Sequence, residues 1–540
     1  MKRIIALICI LLVAGALFAG VKGVVNVKPQ FKFDNTPAAD VETEGFYNNI
    51  GWKQAIGPQL DNWYMTKQDY WLEAFRQPSF LDLGFVAQGD KFGLVFIMDV
   101  RQDTLAYFMN GNKGNWSNIP FMKLMIELNF PRMGYIDYRT DNFYASLGRR
   151  QIKWGPATYD LAIADSQPFL DNAYIRFDVP MKNGWTFWYS LTGISYKYFL
   201  NYDKYVDAGY VAVQSRIEQK PVYDNDGNII GYTYDTTGSN MGPKTTFAHK
   251  FSMENEKLRF TFSELNNVYG KDPSLVDFSP TVIWHDNYQD DFSNVMLSFT
   301  FEGKFGPVRA FANFTMDDYD LPHETPEPGT FSGKPPAIGF VAGIELNLLK
   351  GEEIESSKFD YTDYKIKEDT FKSETGLNIG YEIYYCSKFM YNRKMNVGKI
   401  TSPYQFISFA GKGYCFDENA FYLGFKYGPD TLLHRIYAEY TDNPLKVWGS
   451  LEILKRGAYT IDTEYSPAYS NAHLNTPYDL TAPVITVLML NAGCSYYLQE
   501  GFRLDAELGF TRDITHGTSA FRASVGASIA VCDVNWKDLF

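Results

Sequence analysis

FLDLGF at residues 80–85 and KFGLVFIMDV at residues 91–100 form the stretch that decides the fold, with Gln88-Gly89-Asp90 between them. In the first run, apolar side chains alternate with polar or small ones, so successive side chains serve two different faces. The Gly-Asp pair is typical of a tight turn. The stretch therefore predicts two antiparallel β-strands that are joined by a hairpin.

The same pattern recurs along the chain. Further strand pairs flank residues 140–142, Asn183-Gly184, residues 254–257 and residues 303–307. Asn-Gly is favoured in hairpins because both positions tolerate a positive φ. Later strand candidates are residues 421–427, 433–440, 447–454, 484–497, 502–510 and 520–531. This spacing predicts an all-β protein, namely a large antiparallel transmembrane β-barrel of roughly 14–18 strands.

Composition places the predicted barrel in a membrane. Hydrophobic residues make up 45% of the chain and aromatic residues 17%, yet no apolar run after Ala19 is long enough for a membrane-spanning helix. Only helices and closed barrels satisfy every backbone group in lipid. Barrels also carry girdles of aromatic residues at both interfaces. Long polar segments predict extracellular loops at residues 201–244, 319–336, 350–372 and 460–483.

The two ends of the chain predict export to the outer membrane. Residues 1–19 combine a basic start, an apolar core and small residues, which is typical of a cleaved signal peptide. Residues 20–79 are expected to form a periplasmic or luminal segment with a short helix, and residues 80–540 the barrel. Phe540 ends the chain with an aromatic side chain, the kind of tail that the barrel-assembly machinery recognises.

Charge and motifs limit the function. The chain carries 50 basic and 63 acidic residues, a net charge of −13, which would repel a phosphate backbone and excludes nucleic acid as a partner. The histidines are scattered, and no hydrolase elbow or phosphate-binding loop is present, so no catalysis, metal or cofactor is expected. Four cysteines follow the predicted signal peptide, as disulfides or as buried thiols: Cys386, Cys415, Cys494 and Cys532.

One cationic and aromatic cluster stands out. Arg149, Arg150, Lys153 and Trp154 lie at the end of a predicted strand, ahead of Asp165. Arg149 and Arg150 cannot both face the lumen of a regular strand, so one is expected near the rim or at a bulge. The cluster would grip an anionic glycan through its cations and the tryptophan ring. The alternative is that the arginines pair with luminal acids such as Asp137 and Asp99 and brace the wall.

A second group of carboxylates lies at the end of another strand. Asp317 and Asp318 precede a long loop, which suits a calcium or sugar site. The alternative is a polar rim at the mouth of the barrel, because acidic runs usually contact water.

The segment around the arginine cluster resembles the capsule-assembly (Wzi) family of outer-membrane barrels. Arg150-Gln151, Trp154-Gly155-Pro156, Asp165-Ser166 and Pro168 stand where that family's motif has its Arg-Gln pair, Trp-Gly-Pro, acidic residue and proline. Ala157 replaces the glycine that ends the family's Trp-Gly-Pro-Gly. The resemblance implies a non-catalytic outer-membrane protein that binds or assembles surface polysaccharide.

Three functions follow from this sequence. The first is binding or assembly of surface polysaccharide, with membrane lipid and the barrel-assembly machinery as further partners. The second is a porin that admits small polar solutes. The third is a soluble secreted β-protein, which heat-modifiable gel mobility would exclude.

Overall fold

The computed structural model describes residues 20–36, 63–102, 114–119, 126–166, 169–196, 219–223, 229–234, 244–269, 273–281, 283–284, 293–318, 336–354, 366–367, 371, 375–393, 398–407, 414–463, 478–499 and 501–532. The predicted signal peptide, residues 1–19, lies outside this part of the chain, as does the tail that ends in Phe540. Within it, no helix is both long and apolar enough to cross a membrane.

Strands make up most of the described chain, with one α-helix, α1 (Lys67–Phe75). The strands are β1 (Gly20–Val27), β2 (Gln30–Asp34), β3 (Leu81–Gln88), β4 (Phe92–Gln102), β5 (Gly114–Ser117), β6 (Ile126–Arg139), β7 (Phe143–Arg150), β8 (Ile152–Lys153), β9 (Leu170–Pro180), β10 (Thr186–Ser195), β11 (Gln219–Tyr223), β12 (Ile229–Tyr234), β13 (Lys244–Glu254), β14 (Leu258–Tyr269), β15 (Ser293–Phe305), β16 (Val308–Asp318), β17 (Ala337–Lys350), β18 (Ile366–Lys367), β19 (Gly376–Cys386), β20 (Thr401–Ile407), β21 (Tyr414–Tyr422), β22 (Thr431–Asp442), β23 (Leu445–Arg456), β24 (Ile485–Gln499), β25 (Phe502–Asp513) and β26 (Thr518–Cys532).

The strands close into an antiparallel barrel of 18 strands, which confirms the predicted fold class and strand number. β1 and β2 occupy successive parts of one strand position. β1 pairs with β3 on one side and with the last strand, β26, on the other. The register at the closure sets Val25 opposite Cys532 and Val27 opposite Ile529. Closure joins the first wall strand to the last, and a closed wall is the form in which a sheet can span lipid.

The outer face of the wall is apolar. Large hydrophobic side chains with about half their surface exposed lie on many strands, among them Ile136 (54%), Phe299 (50%), Ile436 (50%) and Leu508 (56%). Side chains at alternating positions of the same strands are buried inside, as the pleat requires. An apolar exterior and a filled interior place the chain in the outer membrane as a transmembrane barrel.

The two rims differ in the length of their connections. Tight turns such as residues 89–91, 140–142 and 255–257 lie at one rim, called here the turn rim. The strands that flank most of the long connections end at the other rim, called here the loop rim. In barrels of this kind, short turns face the periplasm. The predicted loop at residues 350–372 starts and ends at the turn rim, because β17 runs towards that rim and β19 runs away from it; most of its residues lie outside the described part of the chain. Its Ile366–Lys367 pairs in parallel with β8.

The Asn183-Gly184 turn has the backbone conformation that the sequence predicts, in a slightly longer hairpin. Asn183 has φ 66° and Gly184 φ 75°, so both adopt the left-handed conformation that the dipeptide predicts. The hairpin is one residue longer than a two-residue loop, since Met181 N donates to Trp185 O at 2.8 Å and encloses three residues.

The lumen is filled by segments that fold inward from the loop rim. They are residues 63–79 with α1, residues 151–166, and the described parts of residues 387–430, namely 387–393, 398–407 and 414–430. A single cluster of buried apolar side chains joins them to the wall, with Trp71 from α1, Leu161 from the second segment and Phe425 from the third. Wall strands from β9 round to β26 contribute to the same cluster, including Leu433 and Leu454. The cluster therefore crosses the lumen.

Two expectations need correction. The barrel begins at Gly20 and not at residue 80, because β1 and β2 are wall strands; their partners β3 and β26 lie far away in sequence, so no local hairpin indicates them. Residues 421–427 are not a wall strand, because the chain leaves β21 at Tyr422 and continues through the lumen. The predicted short helix is confirmed as α1. Cys386 and Cys494 are free thiols; the side chains of Cys415 and Cys532 lie outside the described part.

Candidate functional site

The strand β7 separates the two predicted arginines, as alternation requires. Arg149 is on the outward side near the loop rim, where its Nε and a terminal nitrogen donate to Asp171 at 2.8 and 2.9 Å. Arg150 points inward and is buried. It donates to the Tyr144 hydroxyl at 2.6 Å, and its guanidinium lies 4.1 Å from the centre of the Tyr135 ring. The expectation that only one arginine is luminal is confirmed.

Trp154 starts the inward-folded segment and is enclosed by it. Its side chain is 4% exposed, and the Lys250 ammonium lies 4.5 Å from the centre of its ring. Lys250 also donates to the Trp154 carbonyl oxygen. The next residue is Gly155, and this position needs a glycine because a Cβ there would lie 1.8 Å from a carboxylate oxygen of Asp160. Burial raises the pKa of that Asp160 carboxyl.

The rest of the segment is tied to the side of the wall that faces β7 and β9 across the lumen. The Pro156 carbonyl accepts a hydrogen bond from Arg309 at 3.0 Å, and the Thr158 amide donates to Glu382 at 2.9 Å. The Tyr159 hydroxyl donates to Glu452 at 2.6 Å. These contacts are with β16, β19 and β23, which lie across the barrel from β7 and β9, the two wall strands that the segment connects. The inserted segment therefore fixes one side of the barrel to the other.

The predicted aspartates serve different contacts. The backbone carbonyl of Asp165 accepts a hydrogen bond from Gln151 at 3.2 Å. Asp317 accepts the Tyr391 amide at 2.7 Å, and Asp318 pairs with Arg393. Both lie at the end of β16 and hold the segment that follows β19.

The predicted residues are therefore brought together only in part. Arg150 and Trp154 lie in the same luminal region, and Lys153 is the last residue of β8. Arg149 is on the outer side of the wall. Asp317 and Asp318, at the end of β16, are separate from these residues. Their contacts are those of braces, although the partners differ from the ones expected: Asp99 pairs with Arg132, and Asp137 with Arg139. Direct contact of these residues with a glycan stays a prediction.

A polar chamber of about 350 Å³ lies elsewhere in the lumen, against the inner face of β22–β26 and β2. It sits on the turn-rim side of the apolar cluster. On β22 the cluster residue Leu433 is nearer the loop rim than the chamber residue Arg435, and on β23 Leu454 is nearer than Glu452. The inward ion pair Arg503–Asp505 lies between the chamber and the turn rim and is about a quarter exposed. The chamber therefore opens towards the turn rim.

The wall of the chamber is built from cross-strand rows. One row sets Trp448 opposite Gly493, Gly493 opposite Glu507, Glu507 opposite Ser524, and Ser524 opposite Lys32. A Cβ at Gly493 would lie 2.6 Å from the Trp448 ring, so this glycine lets the ring lie flat against the wall. The ring is half-buried and lines the chamber.

The roof of the chamber is α1 together with the inserted segments. Asp69 of α1 accepts from Arg456 at 2.6 Å, and Glu73 from Arg522 at 2.8 Å. Burial alone would raise the pKa of Glu73, but the Arg522, Lys32 and Arg76 charges lower it to about 2. The helix is therefore held to β23 and β26 by two ion pairs.

Glu452 is the centre of a second buried group. It accepts hydrogen bonds from Tyr159 and from the Tyr427 hydroxyl, the latter at 2.8 Å. The Lys426 ammonium lies 3.8 Å from the carboxylate and 3.9 Å from the centre of the Tyr159 ring. Burial lowers the pKa of Lys426 to about 7, against the opposing effect of Glu452.

Sequence reasoning missed the chamber because it has no local motif. Its residues come from six strands, α1 and two inserted segments. A signal was nevertheless present: in β22, β23, β25 and β26, single charged residues interrupt apolar runs at Arg435, Glu452, Glu507 and Arg522. A charged side chain that faces lipid at mid-depth is costly, which predicts that these four side chains face the lumen.

No family model and no curated protein matches this chain. Among solved structures, it is similar to Wzi of Escherichia coli, an outer-membrane protein involved in group 1 capsule assembly and a carbohydrate-binding β-barrel, with 14% identity over 94% of this chain and 85% of that chain and a TM-score of 0.48. It is also similar to OccK8 (OprE) of Pseudomonas aeruginosa, with 7% identity, 95% and 98% coverage and a TM-score of 0.40. OccD3 (OpdP) of the same organism has 9% identity, 95% and 92% coverage and a TM-score of 0.39. The neighbours of this structure are thus a capsule-assembly barrel and porins.

Proposed function

We propose that this protein is a plugged outer-membrane barrel that binds a surface polysaccharide without catalysis and takes part in its assembly. The observation that carries the proposal is the apolar cluster that crosses the lumen. Leu161, Leu433 and Leu454 in that cluster are fully buried. A diffusion channel needs a continuous wet path, and water and ions are excluded where the packing is apolar.

The chamber on the turn-rim side of the cluster supports ligand binding, and not diffusion, as the role of the lumen. At about 350 Å³ it lies within the usual size range of small-ligand sites, about 300–1,000 Å³. Aromatic rings, amides and charged groups line it, which suits a ligand with an apolar face and many hydroxyls. Its position on the turn-rim side suits a chain that approaches from the periplasm.

Planar-bilayer recording of the purified protein tests the proposal against the porin hypothesis. We expect no steady ion current from the wild type, because the cluster closes the lumen. Leu161→Asp is the positive control: a carboxylate in the centre of the cluster should loosen the packing and produce current. A wild-type conductance of porin size would overturn the proposal. Binding is then measured by calorimetry against surface glycans in a detergent that has no sugar headgroup.

A further inference from the structure

We infer that the chamber takes an electrically neutral sugar unit, with the Trp448 ring as its platform and Glu507 and Arg76 as its hydrogen-bonding groups. This inference rests on the proposed function and names the class of sugar.

The platform comes from the cross-strand row. Trp448 lies flat over Gly493, so one ring face meets the wall and the other meets the chamber. The C–H face of a sugar ring packs on an aromatic face, and the Trp448 ring is half-buried before any ligand binds. Glu507 stands on the next strand of the same row, directly opposite Gly493. Adjacent strands are about 4.8 Å apart, so a sugar on the ring has its edge beside this carboxylate.

Charge pairing decides the class of sugar. Most charged groups around the chamber already have a partner: Lys32 lies 2.7 Å from Asp34, Glu73 pairs with Arg522, and Arg435 lies 3.1 Å from Glu382. These pairs leave little net charge for an ionic ligand to neutralise. An unpaired charge in a partly enclosed site is disfavoured.

Two groups lack such partners among the residues that the structure describes. Arg76 follows α1 and is exposed towards the chamber, and Glu507 is exposed from the wall. They have opposite charges, so together they add no net charge. A guanidinium donates and a carboxylate accepts, which matches the adjacent hydroxyls of a neutral sugar. An acidic sugar could pair with Arg76, but it would also face Glu507.

The test is calorimetry with the full-length protein against neutral pentasaccharides of glucose, mannose and N-acetylglucosamine, and against pentasaccharides of uronic acids. We expect at least one neutral sugar to bind with an affinity that is the same at low and high salt. Trp448→Ala and Glu507→Ala should each weaken that binding about tenfold or more, the equivalent of about 1.4 kcal/mol.

Tyr437→Ala is the matched control. Its ring also lies flat over a wall glycine, Gly380, but it does not line the chamber, so this variant should bind like the wild type. Binding of the uronic acids alone, weakening with salt, would overturn the inference and leave the proposed function standing. Binding of a neutral sugar that Trp448→Ala does not weaken would also overturn it. If no glycan of either kind binds, the proposed function itself is wrong.

Discussion

Replacement of Arg456 by methionine should release α1 from the wall while the barrel stays intact. Arg456 is 2% exposed and makes four hydrogen bonds: two to Asp69 at 2.6 and 3.3 Å, one to the Tyr64 carbonyl at 3.0 Å, and one to the Tyr427 carbonyl at 3.2 Å. The variant leaves the Asp69 carboxylate buried without its cation. Loss of one partner of a buried ion pair costs about 3–5 kcal/mol.

Hydrogen exchange of the α1 amides measures this directly, since they exchange through local opening of the helix. At about 1.4 kcal/mol for each factor of ten, this cost should raise the exchange rate roughly 10²- to 4 × 10³-fold. The double variant Asp69→Asn with Arg456→Met should recover most of the protection, because no buried charge is left unpaired. Heat-modifiable mobility should be unchanged in both, since no wall strand loses a backbone hydrogen bond.

Arg503→Met is the matched control for this substitution. Its ion pair with Asp505 is about a quarter exposed, and such pairs contribute only about 0–1 kcal/mol. Exchange of α1 in this variant should match the wild type. The reasoning is refuted if Arg456→Met leaves α1 as protected as before, or if Arg503→Met exposes it equally.

Three further predictions concern the wall, the inserted segment and pH. Phe299→Arg, at the middle of β15 on the lipid side, should cost about 2–4 kcal/mol in urea unfolding in lipid, and Phe305→Arg at the turn rim only about 0–1 kcal/mol; equal costs would contradict the assigned membrane depth. Gly155→Ala should cost about 1–3 kcal/mol and speed proteolysis of residues 151–166, because the added methyl clashes with Asp160; unchanged cleavage would contradict the packing. Between pH of about 7 and its ordinary pKa of 10.5, Lys426 binds fewer protons in the folded state than in the unfolded state, so the free energy of unfolding should rise with pH across this window. Lys426→Met should abolish that rise. A fall in stability with pH would contradict the burial of the Lys426 ammonium.

The wall could be predicted from the sequence because its determinants are local. Tight turns such as residues 140–142 lie between runs whose side chains alternate, and lipid on one side keeps that alternation strict. The same reasoning separated Arg149 from Arg150. It failed at β1, whose glycine- and valine-rich sequence has no adjacent partner: its paired residues are 54–68 positions away in β3 and 502–507 positions away in β26.

The lumen could not be predicted, because its packing has no period of its own. Phe421, Leu423, Phe425 and Tyr427 alternate with other residues as a wall strand would, yet all four are buried inside the barrel. The chamber depends on register, since Trp448, Gly493 and Glu507 become neighbours only after three strands have paired. Sequence alone contains those residues but not their alignment.

The pairing of β1 with β26 also has a consequence for biogenesis. The wall has a single seam, and its two sides come from opposite ends of the described chain. Until both have arrived, the growing sheet keeps two open edges that invite pairing with other chains. Transport across the periplasm must therefore keep those edges protected until the whole polypeptide has been delivered and β1 can pair with β26.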